Sequence, residues 1–213
     1  MVDLPLILKL KKEMHKEIAK AQDIIIEELY KVFDRAVFHG GTAIWRCYKG
    51  NRFSEDIDVY IPRDRKKIER LFENLKTRGF VIHKKKIGER SLFSVLQLNR
   101  TIVRLEAIYK KARPELKEYE LSEGNLITVY TLSPEELLRE KVDAYLNRAK
   151  VRDLYDVFFL LRYVKNDKEI IPKLKKLINN FKQPFDEKDL KILIIEGVVP
   201  DIDTMLRYIK RRT

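Results

Sequence analysis

The sequence predicts an α/β (α+β) chain: a strand-rich domain followed by a helical one, with the change near residue 132. Two observations carry this. Residues 80–109 read as three strands around turns at Gly88-Glu89 and Asn99-Arg100. From Ser133 onward the pattern is helical throughout, and it opens on Ser133-Pro134-Glu135-Glu136. A serine cap, a proline at the first helical position and a glutamate three after the cap form a helix start. The expected domains are therefore residues 1–132 and 133–213.

In chain order, Ile7, Leu10, Met14, Ile18, Ala21, Ile25 and Leu29 recur at spacings of three and four, which predicts one long helix or two consecutive ones over residues 6–33. Ala36-Val37-Phe38 is a buried strand running into Gly40-Gly41, and residues 42–48 read as a short helix with Thr42 as N-cap. Trp45, Cys47 and Tyr48 are expected to pack that helix on a sheet. His39, at the strand end, reads as a histidine bonded to backbone rather than a nucleotide contact. Residues 64–78 form a helix capped by Asp64 and ended by Gly79. Strands follow at 80–86, 91–98, 101–109 and 126–132, then helices at 134–148, 151–165, 167–180, 186–196 and 201–211.

The chemistry concentrates between His39 and Tyr60. Residues two apart on a strand share a face, so Asp56, Asp58 and Tyr60 lie on one side and Ile57, Val59 and Ile61 on the other. The apolar trio suits a core. Two like charges on neighbouring same-face positions repel, and a divalent cation held by both removes the conflict. The Gly40-Gly41 pair lets backbone approach a ligand closely, and the free amides of a helix start attract anions. Glycine pair and Asp-x-Asp together, in this order, describe metal-assisted attack on a nucleoside triphosphate. On the strand 101–109, alternation puts Arg104 and Glu106 on one face. Glu106 is a lone acid in an apolar stretch. It reads as a third catalytic carboxylate, with a salt bridge to Arg104 as the alternative. Glu55 points away from Asp56 and is left out.

The stretch Gly40-Gly41-Thr42-Ala43-Ile44 followed by Gly50-x-Arg52-x-Ser54-x-Asp56-Ile57-Asp58 resembles the signature of polymerase-β-type nucleotidyltransferases. More narrowly, the chain resembles the AbiEii/AbiGii toxins of type IV toxin–antitoxin and phage-defence systems. The narrower likeness rests on a second block, Lys141-Val-Asp-Ala-Tyr-Leu-Asn-Arg148 and Arg152-Asp153-Leu154-Tyr155-Asp156. The resemblance implies a polymerase-β-like domain with a mixed sheet, two magnesium ions on Asp56, Asp58 and Glu106, and an NTP as substrate. It implies that Gly40, Gly41 and Thr42 cradle phosphates, and that Lys141 acts in catalysis with an aspartate, Asp156 or Asp153, supporting it. Arg52, Ser54, Arg148 and Asp153 are implied members of the nucleotide-binding set. It further implies an RNA acceptor, specifically the tRNA 3′ end, and a separately encoded antitoxin.

Composition sets the outer bounds. The net charge is +12, from 45 Lys and Arg against 33 Asp and Glu, which favours a polyanion partner. Charged residues reach 37%, a pattern that also marks proteins of hot environments. Basic clusters occur at Arg63-Arg65-Lys66-Lys67-Arg70, Lys84-Lys85-Lys86-Arg90, Lys173-Lys175-Lys176 and Arg207-Lys210-Arg211-Arg212. The lone Cys47 excludes an internal disulfide and a cysteine-based zinc site. The first ten residues lack a charged leader and a cleavage site, and no apolar run is long enough to span a bilayer, so a cytoplasmic location is expected. Two rival readings stand beside the RNA-directed enzyme. One is a nucleotidyltransferase for small molecules such as aminoglycosides, against which the basic balance argues. The other is a module that binds nucleotide or RNA without turnover, against which the intact acids argue.

Overall fold

The computed structural model describes residues 4–165 and 167–213. Contacts divide the chain into two units: one takes in the chain up to Lys49 and Phe53–Thr131, the other Gly50–Arg52 and Leu132–Thr213.

The first unit is built on one seven-stranded mixed sheet. Helices α1 (Leu6–Lys9) and α2 (Glu13–Val32) lead into β1 (Val37–His39), α3 (Gly40–Cys47), β2 (Ile57–Ile61) and α4 (Arg65–Thr77). Strands β3 (Val81–Ile87), β4 (Ser91–Leu98), β5 (Thr101–Tyr109), β6 (Glu115–Glu120) and β7 (Leu126–Thr131) complete it, in the spatial order β3-β4-β5-β2-β1-β7-β6. β2 runs antiparallel to β1 and parallel to β5, and β1 runs parallel to β7. The 6–33 helix proves to be two, because Leu10 takes an extended conformation between them. Asp64 caps α4 by accepting from the Lys67 amide at 3.0 Å, and Gly79 leaves the helix at φ +90°. The 99–100 turn joins β4 and β5 with only two residues between paired Leu98 and Thr101, and Asn99 supplies the positive φ of 53° that a tight hairpin needs.

One face of the sheet is closed. Val103, Leu105 and Ala107 of β5, and Leu92 and Leu96 of β4, are buried on it with Ile25, Leu29, Ile68, Leu71 and Phe72 from α2 and α4. Arg46 of α3 is buried on the same side, where it donates to Asp23 at 2.8 Å, to the Ala19 carbonyl at 3.1 Å and to the Glu120 carbonyl at 2.9 Å. Asp23 accepts in turn from the Ser122 amide. Burial pushes the Asp23 carboxyl up, against the pull of Arg46 and Ser122.

Strand β6 was not expected. Its sequence, Glu-Leu-Lys-Glu-Tyr-Glu, is charged because it is an edge strand, and only Tyr119 is buried outright. A half-exposed edge strand carries little hydrophobic periodicity, and charge there discourages pairing with other chains.

The second unit is helical: α5 (Pro134–Arg148), α6 (Val151–Leu160), α7 (Asp167–Asn179), α8 (Leu190–Leu193) and α9 (Ile202–Lys210). The Ser133 capping box is formed on both sides, with the Glu136 amide donating to Ser133 Oγ at 3.2 Å. Two helices are shorter than the periodicity predicted. α6 stops at Leu160, where the amides of Arg162 and Tyr163 turn back three residues instead of four. The 186–196 segment yields a single 3₁₀ turn at Glu187–Asp189 and the four residues of α8, because Ile194 is extended and bridges Arg52. No helix among the described residues is long and apolar enough to cross a membrane.

Candidate active site

Each candidate residue in the first unit is placed by backbone that the sequence dictates. β1 ends at His39, and Gly40 turns at φ +70° to open α3. A side chain there would force Asp58 to shift: a Cβ on Gly40 would lie 2.1 Å from Asp58 Oδ2. The Asp58 carboxylate thus packs against the first residue of α3, where the helix dipole favours negative charge. Thr42 is not the N-cap. His39 occupies that position, and Thr42 sits inside the first turn, fully buried, with its hydroxyl donating to the Asp56 carbonyl. The glycine pair itself is part of the helix, which starts three residues earlier than a threonine cap would allow.

The loop before β2 is pinned from beneath. Gln22 of α2, wholly buried, donates to the Ser54 carbonyl at 2.9 Å. Phe53 is fully buried between His15, stacked at 3.9 Å, and Trp45, edge-on at 4.8 Å. These contacts fix the main chain that presents Asp56.

Strand register then sets the acids side by side. Asp58 pairs with Glu106 on one flank and with His39 on the other, and Glu106 pairs with Phe93. Cross-strand partners share a face, so His39, Asp58, Glu106 and Phe93 form one row on the face opposite the helices. Over β5 that face is open: Arg104, Glu106 and Ile108 are exposed, while Val103, Leu105 and Ala107 between them are buried; over β2 it is more closed, with Asp58 half-buried and Tyr60 buried. His39 stacks on Tyr60 at 4.0 Å. Arg104 lays its fork on Asp56, with Nε at 2.7 Å and Nη2 at 2.8 Å. That hydrogen bonding, with the charge of Asp56, raises the Arg104 pKa.

In the second unit, Lys141 of α5 and Asp153 and Asp156 of α6 form a buried ion cluster. Asp156 accepts from Arg52 Nε and Nη2, both at 2.8 Å, and lies 2.7 Å from Lys141 Nζ. Asp153 is gripped by the Arg148 fork at 2.7 and 2.8 Å. Both aspartates are essentially without solvent exposure. Burial alone would raise Asp156, yet the charges of Arg52 and Lys141 outweigh it and hold the carboxyl below its ordinary range. The Asn51 carbonyl accepts from the Ile195 amide at 2.8 Å, which stitches Gly50–Arg52 into this unit.

The sequence signature of the family described as "Nucleotidyl transferase AbiEii toxin, Type IV TA system" matches residues 25–203, most of the chain. The protein belongs to the AbiEii family. Its fold is also that of two solved Helicobacter pylori structures. JHP933 is 19% identical, with a TM-score of 0.64 over 94% of this chain and 90% of that one. A second H. pylori protein, provisionally assigned as a nucleotidyltransferase, is 18% identical, with a TM-score of 0.59 over 94% and 93%. No curated protein matches. The expected fold class, a mixed-sheet nucleotidyltransferase domain followed by helices, is the one found.

Whether the acids of this AbiEii protein fit a magnesium ion is decided by their chemistry and spacing. Among the described residues, no three His, Cys, Asp or Glu side chains converge as a metal cage. Magnesium does not need one, since it is ordinarily held by one or two carboxylates, waters and substrate phosphates. Asp58, half-buried, and the exposed Glu106, abreast on one face, fit that arrangement. Asp56 fits as a further ligand once it exchanges Arg104 for the metal. Arg104 is the residue that sequence reasoning undervalues. Alternation sets it beside Glu106, whose charge it also feels, and only the register of β2 beside β5 shows that its fork lies on Asp56. Gln22 is missed altogether, because a buried glutamine on a helix face gives no signal of the loop it holds.

Gly40→Ala places a methyl against Asp58 and a non-glycine residue at positive φ, so it is expected to destabilise the protein by about 1–3 kcal/mol. Thermal melting checks this, and an unchanged midpoint would show that the turn relaxes freely.

Proposed function

We propose that the protein transfers a nucleoside monophosphate from an NTP to the 3′ end of an RNA, a tRNA in particular, using magnesium. The observation that carries this reading is the row Asp58–Glu106 set beside the Gly40 turn at the start of α3. An arriving triphosphate meets amides that attract it and carboxylates that repel it, and a divalent cation resolves that conflict. Asp58, Glu106 and Asp56 would hold the metal. When bound, magnesium supplies charge stabilisation at the α-phosphorus and a lower pKa for the attacking hydroxyl.

The chain's own residues do the positioning. Gly40, Gly41 and the Thr42 amide receive phosphate oxygens at the start of α3. Arg104, released from Asp56, offers a planar fork to a phosphate. Gln22, Phe53 and Ser54 keep the Asp56 loop from shifting. The resemblance assigns Lys141 and Asp156 to the reaction as well. Within their own unit Asp156 sets the position of the Lys141 ammonium and Asp153 that of Arg148. Arg52 has already committed its donors to Asp156, which favours a positioning role over direct phosphate contact. The net charge of +12 supports a polyanionic acceptor over a cationic small molecule. Membership of a type IV toxin–antitoxin family supports a separately encoded antitoxin as partner.

The test is label transfer. Purified protein is incubated with magnesium, total tRNA and each α-³²P-labelled NTP in turn, with an aminoglycoside as a parallel acceptor and an Asp56→Ala/Asp58→Ala control. Label on tRNA that vanishes in the control is the expected result. Label on the aminoglycoside alone, or none with a folded protein, overturns the reading.

A further inference from the structure

The acid row does not stop at Glu106. Register carries it on through Phe93 of β4 to Lys86 of β3, and a second row runs from Arg104 through Val95 to Lys84. Strands lie about 4.8 Å apart, so Lys86 stands ~14 Å from Asp58, three strands away on the same face. Alternation on β4 fixes which face this is. Leu92, Ser94 and Leu96 are buried against the helices, whereas Phe93, Val95 and Gln97 are partly exposed. The three consecutive lysines therefore divide. Lys85 turns to the helix side, bonded to Glu69 and over the Phe72 ring at 4.9 Å. Lys84 and Lys86 register with the open-face residues Val95 and Phe93, and the Lys84 ammonium sits 5.1 Å from the centre of the Phe93 ring. Ile102 and Ile108 flank the patch, 55% and 43% exposed. The surface is thus an aromatic ring and aliphatic side chains, rimmed by lysines, continuous with the carboxylates.

Resting on the function proposed above, we infer that the open face of β3, β4 and β5 is the track for the single-stranded end of the RNA acceptor, with a base stacked on Phe93 and phosphates on Lys84 and Lys86. Stacking platforms with flanking cations are how single strands are held without reading sequence. The charge is complementary to RNA, and the track leads along one sheet face to the acids. A protein strand is disfavoured as occupant, because it would pair at the β3 edge, and consecutive lysines on an edge discourage that.

The test measures binding and turnover separately. A fluorescein-labelled single-stranded RNA dodecamer and a blunt RNA duplex are titrated by anisotropy at several salt concentrations, against wild type, Lys84→Gln/Lys86→Gln and Lys85→Gln. Label transfer to tRNA is followed in the same proteins. The double variant is expected to bind the single strand at least about tenfold more weakly, with the salt slope reduced by roughly 1.4, about 0.7 for each phosphate no longer neutralised. Lys85→Gln, on the opposite face of the same strand, is expected to match wild type. Phe93→Ala should weaken binding by about fivefold to a hundredfold and Phe93→Tyr should restore it. The lysine variants carry the test if Phe93→Ala does not fold. Transfer by wild type with no change in affinity or KM for the double variant overturns the track and leaves the function standing. Equal losses on duplex and single strand overturn the single-strand assignment. Absence of both transfer and RNA binding in wild type overturns the function and the track together.

Discussion

Asp58→Asn is expected to lower nucleotidyl transfer by about a hundredfold to a thousandfold while leaving the melting temperature unchanged or slightly raised. On the function proposed above, the size follows from removing a ligand of the metal that would stabilise charge at the α-phosphorus. The stability sign follows from register. Asp58 and Glu106 are like charges directly across a strand pair, an arrangement that costs roughly 0.2–1 kcal/mol. Removing one charge relieves it, and asparagine keeps the shape that packs against Gly40. Glu106→Gln is expected to act in the same direction. A kcat that falls with intact melting marks a residue kept for chemistry rather than for packing. Transfer retained within about threefold would remove Asp58 from the reaction.

The second large effect is on stability. Asp156→Ala leaves Arg52 and Lys141 buried without the carboxylate they share, and breaking such a pair costs about 3–5 kcal/mol. At about 2–4 °C per kcal/mol, the melting temperature should fall by roughly 6–20 °C. Arg52→Met/Asp156→Met should recover part of the loss, because apolar groups of similar volume can replace a buried pair. The same cluster gives a pH dependence. The folded-state pKa of Asp156 lies below the ordinary 3.8, so its contribution is complete above that value and is lost as pH falls through the folded pKa. Urea unfolding midpoints between pH 5 and pH 2 check this: wild type should lose stability on acidification more steeply than Asp156→Ala. A loss under about 1 kcal/mol for Asp156→Ala would show that the cluster is not the anchor of the Gly50–Arg52 segment.

Much of this was legible in the sequence because it depends on neighbours in the chain. The alternation of β2 and β5, the Asp64 and Ser133 caps and the two-residue turn at Asn99 are set by residues within a few positions of each other. So was the family, since both sequence blocks are local strings. What the tertiary structure decided involves residues far apart in sequence. Asp56 is answered by Arg104, Asp156 by Arg52, and the Ser54 carbonyl by Gln22, across 48, 104 and 32 positions. A strand's periodicity tells which face each side chain takes, yet it leaves open which strand lies beside it. For that reason Glu106 could be read from the sequence as a lone acid sharing a strand face with Arg104, while its place abreast of Asp58, the reach of Arg104 to Asp56 and the division of the three lysines waited on the register of β2, β3, β4 and β5.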